Sequence, residues 1–356
     1  MRGTQGRRWS AVVAGLALLV PLSACGSSDS GDGGGAGGSG SKDVGSKTIG
    51  WVDGTLAGSY QQRLYEAGKD AASHVGWKVK TVDTQGDPAK AASGVSSLVT
   101  SGVDAIIMSA VTPSTARAGL LQAKAKKIPV LMVGSSVDSS LNSDLDLTYI
   151  GEDEEALTKP LADLMLQNLK PGDQVGMLTT TALASAVERT DALTTALEDA
   201  GIEVVPPLET GFDFSAGQKN AATLLSQNPR MTAIVPIFDL WTAATLSALK
   251  SAKRDEVKVY SYYADAISTP LMRDNPDVVL GLADGDMISS PYVAIDKLLA
   301  FFADGKKITE SDDDYEYVAV TKDSLPPGEQ NGPVSQAEAA KPFFEKWAAE
   351  YDIAAS

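Results

Sequence analysis

The chain has 356 residues, enough for a leader segment and two domains of about 150 residues each, and carries 30 Lys and Arg against 46 Asp and Glu, a net charge of −16. Such a surface repels phosphate backbones and anionic headgroups, which argues against a nucleic-acid partner and against electrostatic docking on a membrane. One cysteine and one histidine exclude an internal disulfide and a Cys/His zinc cluster.

The first 25 residues are built like an export signal. Arg2, Arg7 and Arg8 give a basic start, Ala11 to Val20 is almost wholly apolar, and Pro21-Leu22-Ser23-Ala24-Cys25 follows. That order meets the requirements of an export machinery, and the apolar run is well short of the ~20 residues that span a bilayer. Leu22-Ser23-Ala24-Cys25 resembles the lipobox of bacterial lipoproteins, in which the cysteine is lipidated and becomes the mature N-terminus. The plainer reading is an ordinary secretory signal with an incidental cysteine. Because a lone cysteine has no internal disulfide partner, lipidation gives Cys25 a role. Loss of residues 1–24 leaves 27 basic against 46 acidic residues, a net of −19. Gly26 to Ser46 is mostly Gly and Ser, has no apolar face to bury, and is expected to be disordered. At ~5–6 Å × √n, such a tether reaches about 25 Å and holds a globular body just off a membrane. No strand precedes this Gly-rich run, so it is not read as a dinucleotide fingerprint.

From Lys47 onward, short apolar runs alternate with amphipathic ones. Thr48 to Val52, Trp77 to Val82, Ala105 to Met108 and Pro129 to Val133 predict strands, while Gln61 to Ser73 and Ala89 to Thr100 predict helices. Thr112-Pro113-Ser114 predicts a capped helix start running on to Lys126. The alternation restarts after Tyr149-Ile150-Gly151. Helices are expected over Glu154 to Asn168, Ala186 to Ala200, Ser215 to Gln227 and Leu240 to Ala252. Strands are expected over Gln174 to Leu178, Ile202 to Val205, Ala233 to Ile237 and Val257 to Ser261. A tail from Pro326 carries a last helix over Ala337 to Tyr351 and is expected to pack on the outside of a lobe. Near-continuous apolar strands separated by helices mean α/β lobes, each a doubly wound parallel sheet covered on both faces. In such sheets ligands bind at the carboxyl ends of the strands, which for two lobes is the cleft between them.

Four segments together resemble the type I periplasmic binding proteins, in their ribose-binding-like branch of sugar ABC-importer receptors. The first is the opening strand, loop and helix with Tyr60, Leu64, Gly68 and Ala71. The second, Val82-Asp83-Thr84-Gln85-Gly86-Asp87-Pro88-Ala89-Lys90, is similar to the family's strand-to-helix turn. The third is the helix opening Ser185-Ala186-Val187-Glu188-Arg189, and the fourth runs from Asp296-Lys297-Leu298-Leu299 to Asp304-Gly305-Lys306. The resemblance spans roughly Lys47 to Thr321. It implies two lobes joined by a three-strand hinge, with crossings near Ile150-Gly151, Asp284-Gly285 and Asp312 to Glu316. The expected division is residues 47–151 plus 285–314 for the N-terminal lobe and 152–284 plus 315–323 for the C-terminal lobe, followed by a tail over 324–356.

The resemblance also nominates site residues. Arg189 falls where the family places an arginine that hydrogen-bonds ligand hydroxyls, and a fork of charged donors suits adjacent sugar oxygens. The plainer reading is a helix-surface arginine paired with Asp191 or Glu188. Tyr60 stands where an aromatic often stacks on a sugar face, or is a core residue of the first helix. Asp53 ends the first strand at the rim, as a hydroxyl acceptor or a turn cap. Phe238-Asp239 replaces the family's Asn-Asp, so Phe238 offers an apolar face and Asp239 is expected to cap the next helix. Phe214 and Trp241 lie near the same rim and either line the pocket or belong to the core. Gly134-Ser135 stands where the ribose receptor has Asp-Arg. The family's Gly-Phe-Asp appears as Ser261-Tyr262-Tyr263 with Asp265 beyond, and Asp284 and Asp286 lie near a crossing that often carries Gln or Asn. A pocket more aromatic and acidic than a ribose pocket is expected.

Catalytic patterns are thin. His74 sits at a helix end, where a histidine faces solvent or complements the dipole. There is no Gly-x-Ser-x-Gly elbow and no phosphate-binding loop. The Asp312-Asp313-Asp314 run lacks EF-hand spacing and reads as a solvated turn. No enzyme, cofactor or metal is expected. Repressors share this core but carry a DNA-reading module where this chain has a signal and a tether, so location decides function. The expected protein is a lipid-anchored receptor on the outer face of the cytoplasmic membrane. It captures a sugar or polyol by hinge closure and delivers it to an ABC permease. A receptor that reports to a sensor kinase is the alternative, and a cell-wall hydrolase is disfavoured by the missing catalytic groups.

Overall fold

Short runs of buried apolar residues form the strands, and amphipathic segments cover them. The computed structural model describes residues 44–134, 144–309 and 315–354, apart from 57, 182, 326, 327 and 329–331. The export signal, Cys25, most of the tether, Ser135 and the Asp312-Asp313-Asp314 turn lie outside the described residues.

The first sheet contains β1 (Thr48–Asp53), β2 (Lys78–Asp83), β3 (Ala105–Ser109), β4 (Val130–Val133) and β5 (Leu147–Ile150). They lie in the order β2-β1-β3-β4-β5, all parallel. Helices α1 (Ser59–His74), α2 (Pro88–Thr100) and α3 (Arg117–Ala125) follow the first three strands. Asp87 caps α2 by accepting from the Ala89 and Lys90 amides, with Pro88 at the first position. α1 lies very close to β1, since a Cβ on Gly68 would come within 2.2 Å of the Trp51 ring. Only glycine permits that approach.

The second sheet contains β6 (Gln174–Thr179), β7 (Glu203–Val204), β8 (Leu208–Glu209), β9 (Met231–Pro236), β10 (Lys258–Tyr262), β11 (Val279–Gly285) and β12 (Tyr317–Val320). Its order is β12-β11-β10-β9-β6-β7, with β8 also on β6. The helices of this half are α4 (Glu154–Asn168), α5 (Ala184–Asp199), α6 (Phe214–Gln227), α7 (Leu240–Ala252) and α8 (Ser268–Asp274). Two parallel-sheet lobes of an α/β protein are thus the observed architecture.

Three local departures have physical causes. Thr112 makes no side-chain cap, and Ala116 sits at φ −103°, ψ 11°, so Pro113–Ala116 closes as a 3-10 turn and α3 starts only at Arg117. Pro206 and Pro207 supply no backbone N–H, which cuts the strand expected over Ile202 to Val205 to two residues and resumes pairing at Leu208. β12, absent from the sequence reading, runs antiparallel to β11.

α9 (Ser290–Asp304) follows β11 but packs on α1 of the first lobe, and ends at Gly305 in the left-handed region. β12 then returns to the second sheet. α10 (Gln336–Tyr351) starts with a Ser335/Glu338 capping box and packs on α1 and α9. The chain therefore passes between the lobes once more after β12. Trp347 is fully buried and donates to Asp296 at 2.9 Å, beside a Lys346–Asp296 ion pair at 2.8 Å. His74 neither faces solvent freely nor acts only on the helix dipole. It stacks on Phe344 with centroids 3.5 Å apart, and its burial lowers its pKa.

Candidate functional site

The carboxyl ends of β1, β4 and β5 in one sheet and of β9, β10 and β11 in the other bring most of the nominated residues to the contact between the lobes. α1 presents a buried stripe of Tyr60, Arg63, Leu64, Ala67 and Ala71, and its first turns supply the first lobe's side. The Tyr60 ring stacks on Tyr263, which follows β10, with centroids 4.2 Å apart and planes 8° apart. Ser59 donates to Asp265, and Arg63 lies 3.5 Å from Asp284. A cavity of about 530 Å³ opens beside this contact, lined by Ser59, Arg63, Glu66, Ala266, Ile288 and Gln336.

Tyr263 has φ 64°, a left-handed conformation that costs a bulky residue energy and is held by its N–H donating to the Ala283 carbonyl at 2.6 Å. A strained aromatic at a cleft is the pattern expected of a binding surface.

Arg189 is buried, not on the helix surface with Asp191 or Glu188. The reason is its place on α5: Ala186, Thr190, Leu193 and Leu197 are buried at helical spacing, and Arg189 shares that face. Its Nε donates to Glu154 at 2.5 Å, and its Nη2 donates to Glu154 at 3.3 Å, to Glu152 at 3.2 Å and to the Tyr263 hydroxyl. The guanidinium also lies 4.9–5.5 Å from the ring centroids of Phe238, Tyr262 and Tyr263. One donor remains. Among the described residues, buried Nη1 has no hydrogen-bond partner, and neither do Glu152 Oε1 and the Tyr60 hydroxyl.

Two of these atoms pack against the Gly134 backbone. A Cβ on Gly134, which sits at φ 54°, would come within 2.5 Å of Leu64 Cδ1, 2.9 Å of the Tyr60 hydroxyl and 3.5 Å of Glu152 Oε1, so only glycine fits there. Buried polar atoms left unpaired cost about 1–3 kcal/mol each, so such a group calls for a ligand.

Burial pushes the Glu152 carboxyl up to about 8, aided by Glu154 and opposed by Arg189. Asp53 is buried at the end of β1, accepts from Trp51 Nε1 at 3.1 Å and from the Thr55 amide, and is raised by burial to about 7. Asp265 accepts from the Ile267 and Ser268 amides at 2.9 Å. Asp239 makes no helix cap. Instead it shares a hydrogen bond with Asp265, and burial holds its pKa well above the carboxylate range. Asp284 accepts from the Ala264 and Gly285 amides at 2.7 Å and is raised by burial. Asp286 accepts from the Ser289 hydroxyl at 2.8 Å.

The remaining aromatics divide. Phe238 is half-buried over Arg189, with Trp241 edge-on to it at 5.5 Å. Trp241 is fully buried and donates to the Gly211 carbonyl, a core role. Phe214 begins α6 and is 46 % exposed. The sequence reading missed Glu152, Ser59 and Arg63. Glu152 is the first acid after the β5 crossing, in a Glu152-Asp153-Glu154-Glu155 run that reads as an ordinary helix start.

A periplasmic binding protein domain matches residues 49–306. The D-ribose/D-allose-binding protein of Pseudomonas aeruginosa is 24% identical over 198 residues, which cover 53% of this chain and 60% of that protein. The ribose import binding protein of Bacillus subtilis is 26% identical over 208 residues, 58% of this chain and 67% of that one. In fold, the chain is similar to a galactofuranose binding protein at a TM-score of 0.68 and 20% identity, over 78% of this chain and 96% of that one. It is also similar to a solute binding protein of an ABC transporter from Mycobacterium smegmatis with bound glycerol, at 0.69 and 21% identity, over 80% and 99%. With the domain match covering well over half of its residues, the chain belongs to the type I periplasmic binding proteins.

Proposed function

We propose that the protein is the solute-binding receptor of an ABC importer, anchored through lipid on Cys25 to the outer face of the cytoplasmic membrane. It captures a sugar or sugar-like polyol between its lobes and hands it to a permease. The relatives named for ribose import support this reading, as does the family's two-lobed fold. One observation carries it: among the described residues, Arg189 Nη1, Glu152 Oε1 and the Tyr60 hydroxyl are buried without partners beside a pair of stacked tyrosines. Together they offer a charged donor, an acceptor and a hydroxyl that does either, next to an aromatic face. That is the complement of a polyol with a C–H face. Tyr263 covers the face of Tyr60 that a sugar ring would take, so capture exchanges one flat contact for another as the hinge moves.

A thermal-shift screen of sugars and polyols tests the reading. A true ligand at about 100 Kd adds about 2.7 kcal/mol to stability and raises the melting temperature. Chemical turnover of the bound compound, or no shift from any sugar or polyol, overturns it.

A further inference from the structure

One side chain between the lobes makes the contacts that a solute would make. The Tyr263 ring lies flat on Tyr60, with centroids 4.2 Å apart and planes 8° apart. Its hydroxyl accepts from Arg189 Nη2 and donates towards Glu152 Oε2, 3.5 Å away. The Arg189 guanidinium lies 4.9 Å from its ring centroid. An aromatic face, a charged donor and a carboxylate acceptor form the proposed sugar site, and Tyr263 takes one contact from each of them. Rings this close leave no space between them for a third, so a solute ring and the Tyr263 ring cannot both stack on that face of Tyr60.

The placement has a cost and a way out. Tyr263 holds φ at 64°, where a bulky residue is strained, and its N–H donates to the Ala283 carbonyl at 2.6 Å. The next amide, that of Ala264, donates to Asp284 at 2.7 Å. The backbone is therefore pinned to β11 by two successive amides. The ring is held differently, since its stacking partner Tyr60 belongs to α1 and leaves with the first lobe when the hinge opens. What remains is a tyrosine with one face uncovered, which turns away by rotation about its own side-chain bonds while the strand stays in place.

We propose that Tyr263 is a resident occupant of the cleft, standing where a six-membered solute ring stacks on Tyr60, and that the solute binds by displacing it. This rests on the reading of the protein as a sugar or polyol receptor and deepens it. Tyr263 sets the affinity, and the space it vacates selects a flat-faced ring, a pyranose or cyclitol, over an open-chain alditol. The apparent affinity is the intrinsic one reduced by the fraction of molecules whose cleft is vacant. The two members of the stack therefore act in opposite senses: Tyr60 is shared with the solute, while Tyr263 competes with it.

The test is calorimetric titration of the full chain, wild type and Tyr263→Gly, with D-ribose, D-allose, D-galactose, myo-inositol and glucitol, beside small-angle scattering of both proteins without solute. Glycine accepts the left-handed backbone, so the substitution empties the position without new strain. At least one ring compound should bind Tyr263→Gly about 10-fold more tightly than wild type, near the upper end of what a stacked aromatic pair contributes. The solute-free variant should also scatter as a more open particle. Tyr263→Phe is the second variant, which keeps the ring and the fold and removes only the competing hydroxyl; it should tighten binding by a smaller factor. Equal or weaker binding in both variants makes Tyr263 a core residue or a solute contact and overturns the proposal, leaving the receptor reading standing. Unchanged scattering of Tyr263→Gly overturns it as well, and glucitol gaining as much as the rings overturns the choice of a ring. Binding of no probe by any of the three proteins, each of them folded, overturns both.

Discussion

Replacing Arg189 by methionine should damage the protein's stability in a way that depends on pH. The guanidinium is 1% exposed and its two carboxylate partners are 2% exposed, with contacts of 2.5 Å to Glu154 and 3.2 Å to Glu152. Methionine fills much of the volume but leaves two buried carboxyl groups facing each other without a cation. Breaking a buried pair from one side costs about 3–5 kcal/mol. At about 2–4 °C per kcal/mol for a domain of this size, the melting temperature should fall by roughly 6–20 °C near pH 8. Without the arginine both carboxyls lie further above their unfolded pKa values, so they bind more protons folded than unfolded. The deficit should therefore shrink as pH falls towards about 5. Scanning calorimetry of Arg189→Met and the parent at both pH values measures this, and adding Glu154→Gln should restore part of the loss through the coupling between the partners. An unchanged melting temperature at pH 8, or the same deficit at both pH values, refutes the argument.

Tyr60→Leu should weaken solute binding about 10-fold, and by removing a stacked pair worth about 0.5–1.5 kcal/mol it should expand the solute-free protein, an effect visible in small-angle scattering. No change in either quantity would return Tyr60 to a plain core role. The wild-type protein should be more stable near pH 5 than near pH 8.5. Asp53 at about 7 and Glu152 at about 8 both lie above their unfolded values, so the stability they contribute is complete below about pH 4 and lost as pH rises through 7 to 8. Thermal melts across that range in the absence of solute check the sign, and a maximum at high pH contradicts it. Cys25→Ser should release from the membrane fraction a protein that otherwise stays there, since a two-chain lipid anchor holds where a single chain is marginal. Wild-type protein found without N-terminal lipid in the culture medium would refute anchoring.

Most of the fold was legible because its signals are local. Buried parallel strands are apolar along their whole length, and α4 and α7 begin and end where their periodicity does. β12 escaped because an edge strand of four residues, three of them half-buried, carries little apolar signal. At the site, Arg189 and Tyr60 were nominated through the family resemblance; the stripe of Ala186, Thr190, Leu193 and Leu197, which puts Arg189 on an inner face, was not read from the sequence. The partners were not legible. Glu152 belongs to an acidic run that resembles any helix start, and only the crossing after β5 turns it inwards. Asp239 was misjudged because an aspartate before a helix is normally its cap. The nearness of Asp265, set by adjacent strands far apart in sequence, gave it a different hydrogen bond.

The return of the chain to the first lobe after β12 has a consequence for the order of folding. That lobe is assembled from three stretches, 44–150, 286–304 and 336–351, with nearly all of the second lobe threaded between them. His74, at the end of the first helix, is roofed by Phe344 near the end of the last. The N-terminal half therefore cannot complete its own surface while it is being made; α1 waits for residues delivered some 270 positions later. The second lobe, nearly continuous over 154–285, can gather itself first and bring the outlying stretches together. A nascent or truncated chain lacking this helix leaves uncovered the α1 and α9 faces on which it packs.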